Sequence, residues 1–286
     1  MIKKINENFL ITFIYPECEI YIKSFIDSLN KQKYKNFKVI FFYDKINIKK
    51  NIFNKLNIPS TFYKLKGSIS NIRQKALKKI LAIKPKKICF ADVDDIMDEN
   101  RAKVIFKLLD KNDIVFNDLD LCFKNKKIKN YLSKFFKNYQ KVNYLDILDS
   151  NFIGFTNSAI NFNLLNKNKK NILTSKKIIV YDWFFWSNLL IKNKALFTNK
   201  TKTKYYISEN SKNQIPPRTD KLSIQKLMEV KKNHYGLMSS RKKIYKIKKI
   251  LYAKSMNTII NNKNFLLIKN KLEFKLDFWW SINLKL

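Results

Sequence analysis

The sequence predicts an α/β fold, with a mostly parallel central sheet flanked by helices and a smaller, mainly helical, basic part at the C-terminal end. Three observations carry that expectation. Through the first half, short apolar runs alternate with segments of helical periodicity, the pattern of successive βα units. Hydrophobic residues make up 45% of 286, enough to bury a sizeable core. From Lys231 onward the chain turns basic and aromatic with little acid, so a soft boundary is placed there.

Taken in order, "FLITFIY" is a strand, and "EIYIKSFIDSLNKQ" is an amphipathic helix with Ile22, Phe25, Ile26 and Leu29 at i, i+3, i+4 and i+7. "FKVIFFYD" is a second strand ending at Asp44, and "STFYKL" a third, followed by the turn "KGS". A helix then runs through "SNIRQKALKKILAI", with Ser70 as N-cap and Pro85 as its stop. "KKICFA" is the fourth strand. Beyond it the signal is less regular: "NDIVFNDLDLCF" suggests one or two strands, and the stretch around Gly154 mixes helical and extended character. "KKIIVYDWFFWSNLL" reads as a short strand and a helix opened by Asp182.

Lys and Arg number 59 against 22 Asp and Glu, a formal charge of +37. Clustered basic residues are the footprint of phosphate binding. Here they are mostly Lys, spread along the whole chain beside abundant Asn and Ile, as AT-rich coding produces. A nucleic-acid partner is therefore not favoured, whereas an anionic membrane surface or a phosphorylated ligand is. No stretch approaches the roughly 18 apolar residues of a membrane span, and the N-terminal segment lacks a secretory cleavage pattern. Cys18, Cys89 and Cys122 are too few and too scattered for a disulfide framework or a zinc site, and suggest buried thiols in a reducing compartment. With His234 the only histidine, a Ser-His-Asp or multi-His metal mechanism is nearly excluded.

Against this basic background, "KKICFADVDDIMDEN" gathers Asp92, Asp94, Asp95, Asp98 and Glu99 at the end of a strand. If strand geometry persists, Asp92 and Asp94 point to one side. Like charges so close repel unless a cation or water intervenes. The plain alternative is a solvated turn before a helix, since Asp98 and Glu99 suit a first helical turn. Asp44 also lies at a strand end, and in open α/β sheets ligands sit beyond the carboxyl ends of the strands.

In sequence order these segments resemble the family 2 glycosyltransferases of GT-A fold. The opening, through "QKYKNFKVIFFYD", looks like that family's first strand, helix and second strand. "KGSISNIRQKAL" resembles its Gly-Ser-Ala-Arg-Asn stretch, "FADVDD" its D-x-D signature, and "YDWFFWSNLL" its Glu-Asp segment at the acceptor site. The resemblance covers about residues 8 to 200. It implies a GT-A-like domain over about 1–230, with a nucleotide-sugar half to about 118, an acceptor half from about 119, and a helical extension over 231–286.

What the resemblance implies chemically is a metal-dependent, inverting transfer of a sugar from a nucleotide-sugar, UDP being the commonest, to a hydroxyl of a surface glycan or lipid-linked acceptor. Asp94 would ligate Mn²⁺ or Mg²⁺, with Asp92 on ribose or a metal-bound water and Asp95 in support. Asp44 and Tyr15 would bind the donor nucleotide, Arg73, in the first turn of its helix, the phosphates, and Asp182 would be the base that takes the acceptor proton. Trp183 and Trp186 would offer a ring to an acceptor sugar, and His234 a further metal ligand. Each has a structural alternative: a strand-end turn for Asp44, a solvated helix position for Arg73, an N-cap for Asp182, core packing for the tryptophans and the histidine. Tyr181 departs from the family's acidic neighbour and Gln74 from its Asn. The expected setting is the cytoplasm or the inner face of a bacterial membrane. Rival readings are a non-catalytic nucleic-acid binder, a haloacid-dehalogenase-type phosphatase built on the D-x-D, and a transferase that binds nucleotide without turnover.

Overall fold

The run "NFLITFI" forms β1 (Asn8–Ile14), and all but its first residue are buried. A strand buried on both faces reads as a continuous apolar run, and such strands belong in the middle of a parallel sheet. β1 indeed lies between β2 (Lys38–Tyr43) and β4 (Lys87–Asp92), parallel to both. Among the described residues the more polar β3 (Ser60–Lys64) pairs with β2 alone, at the sheet edge. The computed structural model describes residues 7–44, 50–123, 126–207, 221–260, 272–274 and 282–284. It divides into two units: Met1–Val142 with Gly154–Leu173 and Lys194–Ile207, and Asn143–Ile153 with Thr174–Asn193 and Ser208–Leu286.

The first unit holds the central sheet. α1 (Ile22–Asn30) packs its buried face, Ile22, Phe25, Ile26 and Leu29, into the core beside Leu10 and Phe41. A short α2 (Lys50–Phe53) follows β2. Gly67 then turns with φ +143°, a conformation side chains rarely adopt, to start α3 (Ile69–Ile83). The helix is capped by Ser68, whose hydroxyl accepts from the Asn71 N–H at 3.3 Å, so the cap is not the expected Ser70. It ends at left-handed Lys84, one residue before Pro85.

After β4 come β5 (Ile96–Met97), α4 (Arg101–Leu108), the long β6 (Ile114–Phe123), and the short β7 (Lys126–Ile128) and β8 (Lys141–Val142). β9 (Ser158–Asn161) runs antiparallel between β4 and β6, followed by α5 (Phe162–Lys167) and α6 (Lys169–Ile172). A strand that the sequence did not suggest, β10 (Ala195–Tyr206), lies parallel to β6, with a shift of register between Thr198 and Lys202. The order is β3-β2-β1-β4-β9-β6-β10-β5. Most of the pairing is parallel; β5, β7, β8 and β9 supply the antiparallel part.

The second unit is mainly helical: α7 (Tyr181–Leu190), α8 (Lys221–Met238), α9 (Lys243–Ile260) and a small antiparallel pair, β11 (Leu272–Phe274) and β12 (Ile282–Leu284). Lys231 lies inside α8. The short strand expected before α7 is not formed; the Ile179 N–H donates to the Asn233 side chain (3.1 Å) rather than to a strand partner. No described helix is long and apolar enough to cross a membrane.

Candidate functional site

β4 ends at Asp92, and the next three residues form a turn in which the Asp95 N–H donates to the Asp92 carbonyl (3.2 Å). The alternation expected to align Asp92 with Asp94 therefore stops at Asp92, and the turn, not the strand, sets their spacing. Asp98 and Glu99 precede α4, whose N-cap position is Asn100, so neither lies in the first helical turn expected for them. Asp98 accepts from the Asn100 N–H at 2.9 Å, and Glu99 forms an exposed ion pair with Lys33 at 2.5 Å. The acidic run is thus two groups: half-buried Asp98 and exposed Glu99 ahead of α4, and Asp92, Asp94 and Asp95 at the end of β4.

Arg73 reaches the second group. Its Nη2 lies 3.4 Å from Asp92 Oδ1, and its guanidinium stands 5.0 Å from the Phe155 ring centre and 5.6 Å from that of Phe13. Counted from Ile69, it falls just past the first turn of α3. A cation near a helix N-terminus is disfavoured by the helix dipole, so a nearby anion is needed to hold it there. Tyr15 leaves β1 next to them: burial raises its hydroxyl pKa, with Arg73 opposing and Asp92 adding to the shift. Burial and then the Asp94 charge push the Cys18 thiol up to about 12. Cys18 and Cys122 are half-buried, and of the three free thiols only Cys89 meets the expectation of burial.

Asp94 carries a raised pKa because burial disfavours its charge more than Arg73 favours it. Asp95, 2% exposed, is raised well above the usual carboxylate range by burial, then by Asp94 and Asp92. Its oxygens accept from the Thr156 hydroxyl and from the Tyr206 N–H (2.9 Å). Behind the turn, fully buried Arg101 donates to the Phe90 carbonyl and to Asn117 Oδ1, both at 2.8 Å. Asn117 in turn donates to Thr203 Oγ1 at 3.1 Å. β4, α4, β6 and β10 are thereby locked together under the acidic turn.

Asp44, at the end of β2, is 5% exposed, and its Oδ1 is buried without a hydrogen-bond partner. Buried acceptors are almost always paired, so this one is a marker for a missing donor. β2 and β4 flank β1, so Asp44, Tyr15 and Asp92 leave the sheet at the same edge. Asp92 and Asp94 offer hard carboxylate oxygens, and burial disfavours the charge on Asp94. Among the described residues no group of three or more His, Cys, Asp or Glu is arranged to hold a metal. Two carboxylates suit Mg²⁺ or Mn²⁺, which keep water and substrate phosphate as their remaining ligands.

Asp182, Trp183, Trp186 and His234 belong to the second unit. Val180 occupies the N-cap position, so Asp182 sits in the first turn of α7 rather than capping it, and its Oδ1 accepts from the Trp183 N–H at 2.9 Å. Trp183 and Trp186 are 2% and 0% exposed, so neither ring presents a face to solvent. Trp183 donates its indole N–H to the Ile147 carbonyl (2.9 Å) and stacks on His234 at 3.7 Å between ring centres. Burial, then Lys231, holds the His234 pKa well below 6.5. His234 Nε2 lies 3.4 Å from Ser187 Oγ, and its Nδ1 has no partner. The same unit contains a carboxylate that the sequence did not single out. Asp149 Oδ1 pairs with Lys248 Nζ at 2.8 Å and accepts from the Tyr235 hydroxyl at 2.6 Å.

No family model and no curated protein matches this chain in sequence. Solved structures match it in fold. S. aureus TarS 1-349 in complex with UDP aligns with TM-score 0.60 at 17% identity, over 91% of this chain and 75% of that one. The same protein in complex with UDP-GlcNAc gives TM-score 0.59 at 17%, over 89% and 81%. GalNAc-T7 with UDP, GalNAc and Mn²⁺ gives TM-score 0.61 at 11%, over 94% of this chain and 55% of that one. The GT-A-like α/β fold expected from the sequence is the fold found.

Proposed function

We propose that this chain is a metal-dependent, inverting glycosyltransferase that moves a sugar from a UDP-sugar to a hydroxyl of a surface glycan or lipid-linked acceptor, at the cytoplasmic face of a bacterial membrane. One observation carries the reading: at the ends of the two strands that flank β1, a buried, unpartnered Asp44 oxygen accompanies a half-buried carboxylate turn beside Arg73. That arrangement suits a ligand that donates a hydrogen bond at one end and bears a phosphate-metal group at the other. Nucleoside diphosphates are such ligands, and the proteins sharing this fold were solved with UDP, UDP-GlcNAc, and UDP with Mn²⁺.

In this reading Asp44 accepts from the base or ribose, and Tyr15 lines the nucleotide beside it. Asp94, with Asp92, holds the divalent cation, which when bound supplies positive charge to the departing diphosphate. Arg73 adds a second positive charge to the phosphates. Asp95 is spent on Thr156 and Tyr206 and fixes the turn rather than touching the donor. Asp182, whose carboxylate is half-buried at the start of α7, takes the acceptor proton.

The test is nucleotide release from a panel of UDP-sugars with Mn²⁺. Release should stop with EDTA and in Asp94→Ala. Release that survives both would sink the metal assignment.

A further inference from the structure

Among the described residues, α9 is where the basic excess of this chain meets exposed apolar side chains along one helix line. Between Glu229 and Glu273 the sequence contains no acidic residue. α9 buries Tyr245 and Tyr252, 0% and 1% exposed, together with Lys248, which is occupied by Asp149. On a 3.6-residue helix the direction opposite these two tyrosines is the line Lys243, Ile247, Ile250 and Lys254. All four are exposed, the two isoleucines at 47% and 50%. Lys246, also exposed, flanks the line on one side.

Two large β-branched side chains one turn apart, framed by lysines at both ends and on a flank, are out of place on a surface facing only water. Scattered single apolar residues need no explanation, but a pair at the centre of a helix face does. A lysine-framed apolar line is the form of a helix that lies in a membrane interface, its isoleucines at the acyl boundary and its lysines at the headgroup phosphates. Charge complementarity chooses the occupant: the face is purely cationic, so the partner is anionic. The long Lys stems reach from the level of the isoleucines to the phosphates.

We propose that α9 docks this chain on an anionic lipid bilayer, inserting Ile247 and Ile250 while Lys243, Lys246 and Lys254 contact the headgroups. The docking does not depend on the transferase reading. It would, however, bring a site that uses a lipid-linked acceptor to its substrate. Nucleotide binding measured without lipid stands or falls separately.

The experiment is co-sedimentation of the full chain with vesicles of phosphatidylcholine alone or with phosphatidylglycerol, at about 0.15 M salt, where exposed charges more than about 8 Å apart are screened. The chain should bind only the anionic vesicles. Ile247→Ser/Ile250→Ser, both at exposed positions, should weaken that binding roughly tenfold, as expected for losing apolar insertion, and should leave thermal stability unchanged. In a second arm, Ile247→Trp should shift its emission to the blue on anionic vesicles but not with soluble polyphosphate. Equal binding by the double variant would overturn the proposal and leave diffuse charge as the cause. A blue shift with polyphosphate would assign the face to a soluble polyanion. A lipid-free dimer abolished by the two Ser substitutions would assign it to a second copy of this chain.

Discussion

Asp95 in the first unit and Asp149 in the second are both withdrawn from water, yet their surroundings push them in opposite directions. Around Asp95 the nearest charges are Asp94 and Asp92, and its carboxyl is raised well above the usual range. Around Asp149, burial again raises the pKa, but the Lys248 contact and charge, then Tyr235 and Lys231, outweigh it and hold the group low. Lys231 itself donates to the Asp149 carbonyl and lies 5.3 Å from the Trp183 ring centre. Asp149 is balanced by lysines of its own unit. The acidic turn has gathered like charges with Arg73 as the cation in reach, in a protein with 59 basic residues to choose from. Like charges gathered at the end of a strand, with shifted pKa values, mark ligand sites more often than cores.

Substitutions that separate spent carboxylates from available ones test this contrast. Within the second unit, Asp182→Asn should lower transfer by about 10²–10⁴-fold while nucleotide affinity stays the same. Equal turnover would remove Asp182 as the base. Asp149→Ala should cost about 3–5 kcal/mol of unfolding free energy, because Lys248 and Lys231 would be left buried without their counter-charge. A urea titration giving less than about 1 kcal/mol, the worth of an exposed pair, would erase the difference between the two regions. Asp94→Ala should leave the unliganded chain as stable as before, since a disfavoured charge is removed. It should lose the whole metal-dependent gain from nucleotide, about 2.7 kcal/mol at a hundredfold excess over Kd.

The smallest effects are in pH. Asp94 and Asp95 are raised, so above the ordinary carboxylate value of 3.8 the folded chain holds more protons than the unfolded one. Their contribution is present at low pH and is lost as pH rises through the raised values, by at most about 1.4 kcal/mol per pH unit for each proton. Asp149 and His234 act in the opposite sense. Their contributions are present above 3.8 and 6.5 respectively and fall away as pH drops through the lowered folded values. Asp95→Asn should flatten the fall of stability on the alkaline side of pH 4 without touching the acid limb. An unchanged alkaline side would show that Asp95 ionises freely.

Much of this was legible locally. "FLITFIY", "FKVIFFYD" and "KKICFA" are apolar runs with no other use than central strands, and the acidic turn stands out against its basic background. What the sequence hid is what reaches across it. The partners of Asp95, Thr156 and Tyr206, lie 61 and 111 positions away. β10, which supplies Tyr206, was passed over, although Thr201, Lys202, Thr203 and Lys204 alternate. Threonine suited to the sheet interior reads as polar in an apolar-pattern search; here Thr201 and Thr203 are 3% and 0% exposed. The segment ahead of α7 shows the reverse error: "KKIIV" has strand propensity, but a side-chain partner on α8 took its backbone donor. Ser70 and Ser68 compete for one cap, and only the turn at Gly67 decides between them.

We propose that the turn after β4, together with Asp44, binds a nucleoside diphosphate through a divalent cation. Thermal unfolding with UDP, GDP, CMP and dTDP, each with Mn²⁺ and with EDTA, tests it most directly. The melting temperature should rise for one of these nucleotides with Mn²⁺, and the rise should be absent with EDTA and absent in Asp94→Ala. A rise of equal size in EDTA would take the cation away from Asp92 and Asp94, and no rise with any nucleotide would contradict the claim.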